Sequence, residues 1–565
     1  MSVGNGNWRE LAAAKRKEQQ DSIPREWVLG PNELPSPEQT NVMDFARACG
    51  LLSSHDLEIT DNEDAEILLD RVKKGEWTAV EVTTAYYKRA IVAHQVTNCL
   101  TEIYVDKALA WAKDLDDHLA KTGEVVGPLH GLPISLKDQF CIEGLDTTIG
   151  YTAWIGMKAA KHCTLVDILL AAGAVPFVRT NLPQTIMWPE TYNLIFGRTL
   201  NPHNRTLTSG GSSGGEGALI SFKGSILGVG TDVGGSVRIP ASCCGIYGMR
   251  PTARRIPYRG ACNSLLGQQA IPSVAGPLSS SLNGLKIFMK TVVNSKPWLQ
   301  DPLVIRQPWN EDLYRLVEHG DGKNICFGFI WDEGNYESLP PVKRAMRLAR
   351  DVLIAAGHTV IDWAPGDLHT RISQLASAVF NAVGELDYQR DLAPTGEPLL
   401  DNMIPQDEPL HKDISIEPTE MKEPVDTKTA EAATPVIDAY SLWRVHKRIE
   451  DIRIEFLDRW NDTLKTTGTG RPVDALISPT APYPAPPHGM NLTAQGTNIW
   501  NVLDYPVAVV PVTKFRNALD KVFYDMSCTG VLQIIGRTQE DEAVIALAEV
   551  LDNALRSVEA RRKKP

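Results

Sequence analysis

The chain has 565 residues, 43% of them hydrophobic and 22% charged, with a formal net charge of −12. This balance is ordinary for a globular protein in water, and its acidity argues against a general nucleic-acid or membrane-surface role. No uncharged apolar run reaches the roughly 18 residues of a membrane span, and the length admits several domains or one large α/β core with insertions.

Residues 1–25 mix Arg, Lys and Glu with short apolar pieces. They lack a continuous apolar stretch, so no secretory signal is expected. The final Lys563-Lys564-Pro565 is not a peroxisomal address, and a cytoplasmic location is expected. Residues 1–125 read as helical. Thr60 and Glu63 suggest a capping box before a helix over Ala65–Lys74, closed by Gly75. Thr78 and Glu81 repeat the pattern before an amphipathic stretch to about Val96. Asp106 reads as the cap of Lys107–Lys121, with Gly123 behind it.

The pattern changes at Gly127. Pro133–Asp138 reads as a strand running into a loop, Thr164–Ala172 as a helix stopped by Gly173, and Ala174–Thr180 as the next strand. Ser225–Gly230 reads as a buried strand. Ile325–Ile330, the helix Val342–Ala356 and Thr359–Trp363 make a βαβ unit. Further core strands are expected at Ala475–Ile477, Ala508–Val510 and Val531–Ile535, with a terminal helix from about Asp541. Residues 393–434 are rich in Pro, Glu, Asp and Lys, which reads as a surface insertion in preference to a substrate-gating loop. Nine scattered cysteines without a C-x-x-C pair fit reduced, mostly buried thiols. The twelve histidines contain no H-E-x-x-H pattern, so neither a metal nor a cofactor is expected.

The densest signal is a pair of glycine–serine clusters, Ser209–Glu216 and Gly230–Arg238, with Ser212 and Ser236 separated by 24 positions. Glycine is costly to order, so such density marks backbone that must approach something closely. Three readings compete for it. Gly210-Gly211-Ser212-Ser213-Gly214 satisfies the G-x-S-x-G elbow, but that motif needs a buried strand before it and Asn204–Thr208 is polar. A phosphate cradle lacks the Lys-Ser or Lys-Thr of a P-loop. In the third reading Ser236 is a nucleophile, and Val233, Gly234, Gly235 and Ser236 turn backbone N–H groups toward an oxyanion. A serine needs a base, and no histidine except His203 lies near either cluster. Lys137, at the end of an apolar strand, serves if burial keeps it neutral, although composition alone makes it an ordinary surface lysine.

Gly210–Gly217 and Gly230–Pro240 together resemble the amidase signature family, and Pro128–Asp138 resembles the block that carries its lysine. Thr180–Thr185, Phe196–Pro202, Tyr247–Thr252, Asp474–Thr480 and Asp504–Pro506 extend the likeness over nearly the whole chain. The N-terminal helical region is similar to the fungal acetamidase branch. The resemblance implies an α/β amidase-signature fold: a large mixed, twisted β-sheet covered by helices on both faces. Residues 1–125 would pack on a catalytic region spanning 126–565 as one structural unit. It further implies a Ser–cis-Ser–Lys triad of Ser236, Ser212 and Lys137, with Ser212 adding to the substrate-binding donor set. Asp232 and Arg238 flank the nucleophile as loop-holding groups or a purely structural ion pair, and Ser213 supports by hydrogen bonding. Cys243 and Cys244 read as packed thiols.

The implied reaction is hydrolysis of small monocarboxylic amides such as acetamide to carboxylate and ammonia through an acyl-enzyme. The runner-up is a tailoring enzyme for larger aryl or secondary-metabolite amides. An amidotransferase subunit and a binding protein with a decayed site are weaker alternatives. Ile186, Met187, Trp188 and Tyr192 are expected to line the acyl pocket, although core packing explains their bulk nearly as well. The expected partner is a small-molecule amide, with no nucleic acid and no membrane; homodimer formation is left open by the sequence.

Overall fold

The computed structural model describes residues 7–331, 337–400, 436–491, 495–514 and 529–562. The strands, in chain order, are β1 (Leu100–Ile103), β2 (Pro133–Lys137), β3 (Val175–Thr180), β4 (Tyr192–Asn193), β5 (Gly197–Arg198), β6 (Leu200–Asn201), β7 (Asn204–Thr208) and β8 (Leu227–Asp232). They continue with β9 (Tyr247–Arg250), β10 (Val274–Ser279), β11 (Cys326–Phe329), β12 (Thr359–Asp362), β13 (Ala475–Pro479), β14 (Val507–Lys514) and β15 (Thr529–Ile535). Eleven of them form one sheet in the order β1-β3-β2-β8-β10-β9-β14-β15-β13-β11-β12. The sheet is mixed: β2 runs parallel to β3 and β8, and β11 to β12 and β13, whereas the centre is antiparallel.

Alternate residues of these strands enter different apolar clusters. Phe327 and Phe329 join one cluster while Cys326 joins another, and Ala475 and Ile477 separate from Leu476 in the same way. A strand presents successive side chains to opposite faces, so both faces of the sheet are buried. Helices supply the cover, with Pro340–Ala355 against β15 and Asp541–Arg562 against β14. The larger cluster runs from Ile23 and Trp27 in the N-terminal helical region through the sheet to Leu555.

The Thr78–Glu81 capping box forms in full and starts the helix Ala79–Thr97. The expected Thr60–Glu63 box does not form. Thr60 ends the helix Ser54–Thr60 with its hydroxyl donating to the Asp56 carbonyl, and Asp64 caps Ala65–Lys73 through the Glu66 N–H. An acceptor directly before the first helical residue wins over one farther upstream. Asp106 is likewise not a cap: it lies inside the first turn of Val105–Thr122, where its charge suits the helix dipole. The buried strand expected at Ser225–Gly230 sits two residues later, so that β8 ends on Asp232 and hands the chain directly to the glycine loop. Asn204–Thr208 is a strand after all, in a two-stranded hairpin with β6 and outside the main sheet. Of the 393–434 segment, residues 401–434 lie outside the described residues. The remaining 393–400 stretch is not exposed throughout, for Glu397 is buried and takes hydrogen bonds from Thr152 and Gln184.

Candidate active site

Three pieces of chain meet at the centre of the sheet. Lys137 is the last residue of β2, held between β3 and β8, and apolar neighbours on the strand carry it wholly out of water. Its Nζ lies 2.7 Å from Ser212 Oγ and 2.9 Å from Thr231 Oγ1. Burial drives its pKa well below the ordinary lysine value, against the opposing pull of Asp232 and Glu216. Burial therefore favours the neutral amine, the form that carries a lone pair.

Ser212 follows a cis Gly211–Ser212 peptide, as the resemblance implies, and precedes the helix Gly214–Ser221. A Cβ on Gly211 would lie 2.3 Å from the Glu190 carbonyl oxygen, so only glycine fits that crossing. Thr191 pins both ends of the turn: its hydroxyl donates to the Gly210 carbonyl at 2.8 Å and accepts the Gly214 N–H at 3.0 Å. Ser213 joins the two clusters. Its N–H donates to the Ser236 carbonyl at 3.2 Å, and its Oγ accepts the Thr231 N–H at 3.3 Å.

Ser236 stands in the loop after β8 and is 8% exposed, whereas Lys137 and Ser212 are sealed at 0%. Of the three residues, Ser236 is thus the one on the accessible side. The loop is shaped by Asp232, whose carboxylate accepts the Gly235 N–H at 2.8 Å and the Val237 N–H at 3.3 Å. Arg238 closes it with donations to both carboxylate oxygens and to Gln533, Asn501 and the Thr497 carbonyl. Burial alone raises the Asp232 pKa, but the Arg238 guanidinium outweighs it and holds the group at about 2.

One expected donor is corrected here. The Gly235 N–H is committed to Asp232, so it turns into the loop and leaves the oxyanion set. Gly235 is glycine for another reason: its φ is +136°, and a Cβ would meet Thr497 Oγ1 at 2.1 Å. The N–H groups of Val233, Gly234 and Ser236 have no hydrogen-bond partner among the described residues.

Sequence reasoning assigned no role to several groups that the structure brings in. Thr231 and Gln139 extend the lysine's contacts, with Thr231 Oγ1 2.5 Å from Gln139 Oε1. Glu216 is fully buried behind them. It accepts hydroxyl hydrogen bonds from Ser135 and Thr180, and burial pushes its pKa up to about 7. Thr231, Glu216 and Gln139 all lie inside or beside the motifs, so a search for polar residues in those blocks could have found them. Asn501 and Gln533 carry no such local signal. Ile186 and Tyr192 are core residues in separate apolar clusters, and Trp188 packs against Tyr192 and Leu400. Cys243 and Cys244 are buried, whereas Cys141 and Cys262 are half-buried with sulfurs 3.6 Å apart. Among the described residues, no group of three His, Cys, Asp or Glu could hold a metal ion, and no helix is long and apolar enough to cross a membrane.

An eleven-stranded mixed sheet with a buried lysine against two glycine–serine loops defines a hydrolase of amide bonds. A family model described as Amidase matches residues 81–545, and the chain belongs to the amidase signature family. It is 36% identical to the acetamidase of Emericella nidulans over 98% of this chain and 99% of that protein. It is 35% identical to the acetamidase of Aspergillus oryzae, again over 98% and 99%. Among solved structures, fatty acid amide hydrolase superposes with a TM-score of 0.83 at 28% identity, covering 98% of this chain and 97% of that one.

Proposed function

We propose that this amide hydrolase acts on small monocarboxylic amides of the acetamide type, releasing carboxylate and ammonia. The observation that carries the mechanism is the 2.7 Å approach of the fully buried Lys137 amine, whose pKa burial lowers, to Ser212 Oγ beside the loop that bears Ser236. Likeness to two fungal acetamidases over nearly the full length supports the substrate class.

Ser236 Oγ attacks the amide carbonyl carbon while its proton passes to Ser212, whose own proton passes to Lys137. The carbonyl oxygen becomes an oxyanion in reach of the uncommitted N–H groups of Val233, Gly234 and Ser236, each worth about 3 kcal/mol at such a site. Lys137, now an ammonium, returns a proton through Ser212 to the nitrogen, so the C–N bond breaks with ammonia as the leaving group. Water then attacks the acyl-Ser236 ester by the same relay and regenerates the serine.

The same reading makes the N-terminal helical region 1–125 and the catalytic region 126–565 one unit, since a single apolar cluster spans both. It also assigns a cytoplasmic location. The test is ammonia release from a panel of aliphatic and aryl amides by the wild type and Ser236→Ala. Turnover of short aliphatic amides that vanishes in Ser236→Ala is expected. Turnover confined to large aryl amides would overturn the substrate class, and retained activity in Ser236→Ala would move the nucleophile elsewhere.

A further inference from the structure

A neutral lysine amine has two N–H donors and one lone pair, so a relay through Ser212 works only if that lone pair faces the Ser212 hydroxyl. Thr231 is the competitor. Its Oγ1, 2.9 Å from Nζ, could donate into the same lone pair and occupy it. What decides the matter lies one residue farther out.

Gln139 Nε2 is 2.9 Å from the Cys262 carbonyl oxygen, which can only accept. The amide is therefore oriented with its NH2 toward Cys262 and its Oε1 toward Thr231. Oε1 can only accept as well, and at 2.5 Å from Thr231 Oγ1 it takes the threonine proton. The Thr231 oxygen is then left as an acceptor toward Lys137, and one lysine N–H donates to it. Of the two hydroxyls on Nζ, only Ser212 still has a proton to place in the lone pair, and Ser212 Oγ is freed to accept from Ser236. The hydroxyl of Tyr258 lies 3.3 Å from Nε2 of the same amide and is paired with Ser273 at 3.0 Å. Its oxygen accepts from Nε2, which reinforces the orientation of the amide.

We propose that Gln139 is a positioning residue which fixes the direction of proton flow, acting through Thr231 on Lys137. This rests on the proposed Lys137–Ser212–Ser236 relay and adds a residue to it. The Gln139 side chain bonds to neither the nucleophile nor the Lys137 amine, although its backbone N–H donates to the Lys137 carbonyl at 2.6 Å; it dictates which partner can donate to the amine.

The experiment compares Gln139→Met, Gln139→Glu, Thr231→Val and the double variant Gln139→Met/Thr231→Val. Readouts are kcat, KM, the pH–rate profile and the rate of Ser236 labelling by a fluorophosphonate. Gln139→Met removes the acceptor, frees the Thr231 proton to block the lone pair, and lowers kcat and labelling by about 10- to 100-fold with KM unchanged. Gln139→Glu keeps the acceptor while losing the donation to Cys262. It therefore retains plateau kcat, with its acid limb moved to higher pH by the added anion. In the Thr231→Val background Gln139→Met adds nothing further, because the group it orients is gone. Equal losses in the Met and Glu variants would show that Gln139 merely holds the segment at Cys262 and would overturn the proposal. So would additive losses in the double variant, or full kcat in Gln139→Met. If no amide on the panel is turned over yet wild-type labelling depends on Gln139 in this pattern, the substrate reading fails and the relay inference stands.

Discussion

Arg238 clamps Asp232 across both carboxylate oxygens, Nε to Oδ2 at 2.9 Å and Nη2 to Oδ1 at 3.0 Å, with neither side chain exposed to water. The same carboxylate receives the Gly235 and Val237 N–H groups, so this pair sets the curve of the loop that presents Ser236. Arg238→Met leaves a buried carboxylate without its cation and should cost about 3–5 kcal/mol. Urea denaturation measures it, and a loss below about 1 kcal/mol would contradict the clamp. The pH sign follows from the depressed pKa. Asp232 at about 2 in the fold lies below the ordinary value near 3.9, so its contribution is complete above about pH 4 and is lost as pH falls through 2.

Lys137 sets stability against activity. Burial in the fold lowers its pKa, whereas the unfolded chain protonates it below about pH 10.4, so between its lowered pKa and that value the unfolded state binds more protons. Stability from this group therefore rises with pH across the window. Lys137→Met should abolish turnover and yet melt higher than the wild type at pH 7, with the gap narrowing as pH approaches 10. In the wild type kcat should fall on the acid side as the amine protonates. A melting point lowered by several degrees, or a flat acid limb, would rule out a buried neutral amine.

Much of this was legible because the informative residues are local. Thr78 and Glu81 lie within one turn and form their box as spaced; Val342–Ala356 with its flanking strands reads as βαβ and forms a parallel pair, β11 with β12. Ser212 and Ser236 stand out through neighbouring glycines, whereas Lys137 is singled out by the likeness of Pro128–Asp138 to the block that carries the family's lysine. The missed features depend on partners distant in the chain. Asn501 and Gln533 reach Arg238 from more than 260 residues away, and β9 pairs with β14 across some 250 residues. No local pattern encodes either. The Gly235 error has a different cause: spacing identifies a glycine loop, but which N–H points outward depends on where the Asp232 carboxylate sits.

Glu397 fastens residues 392–400 to the body of the protein. Its carboxylate accepts the Thr152 N–H and hydroxyl, both at 2.7 Å, and Gln184 Nε2 at 2.8 Å, while Gln184 Oε1 accepts the Leu400 N–H. Glu397→Ala strands three buried donors and should destabilise by about 1–3 kcal/mol or more. The melting temperature should fall by several degrees, and limited proteolysis should cut near residues 393–400 sooner than in the wild type. Unchanged melting would mean these bonds are replaced by water at no cost.

Glu216 tests whether the electrostatic setting of Lys137 is as described. Burial raises its pKa to about 7, and its negative charge is one of two that pull the Lys137 pKa back up. Because the folded value exceeds the ordinary 4.3, the group contributes stability that is full below about pH 4 and is lost as pH rises through 7. Glu216→Gln keeps the shape and removes the charge, and the Ser135 and Thr180 hydroxyls can rotate to meet the amide. The variant should therefore gain stability relative to the wild type at pH 8 more than at pH 4, as read by parallel urea titrations. Its kcat profile should keep the same plateau with the acid limb displaced to lower pH, since Lys137 has lost a stabilising anion. A limb displaced to higher pH would overturn this account of the Lys137 setting, because removing a nearby negative charge makes an ammonium more acidic.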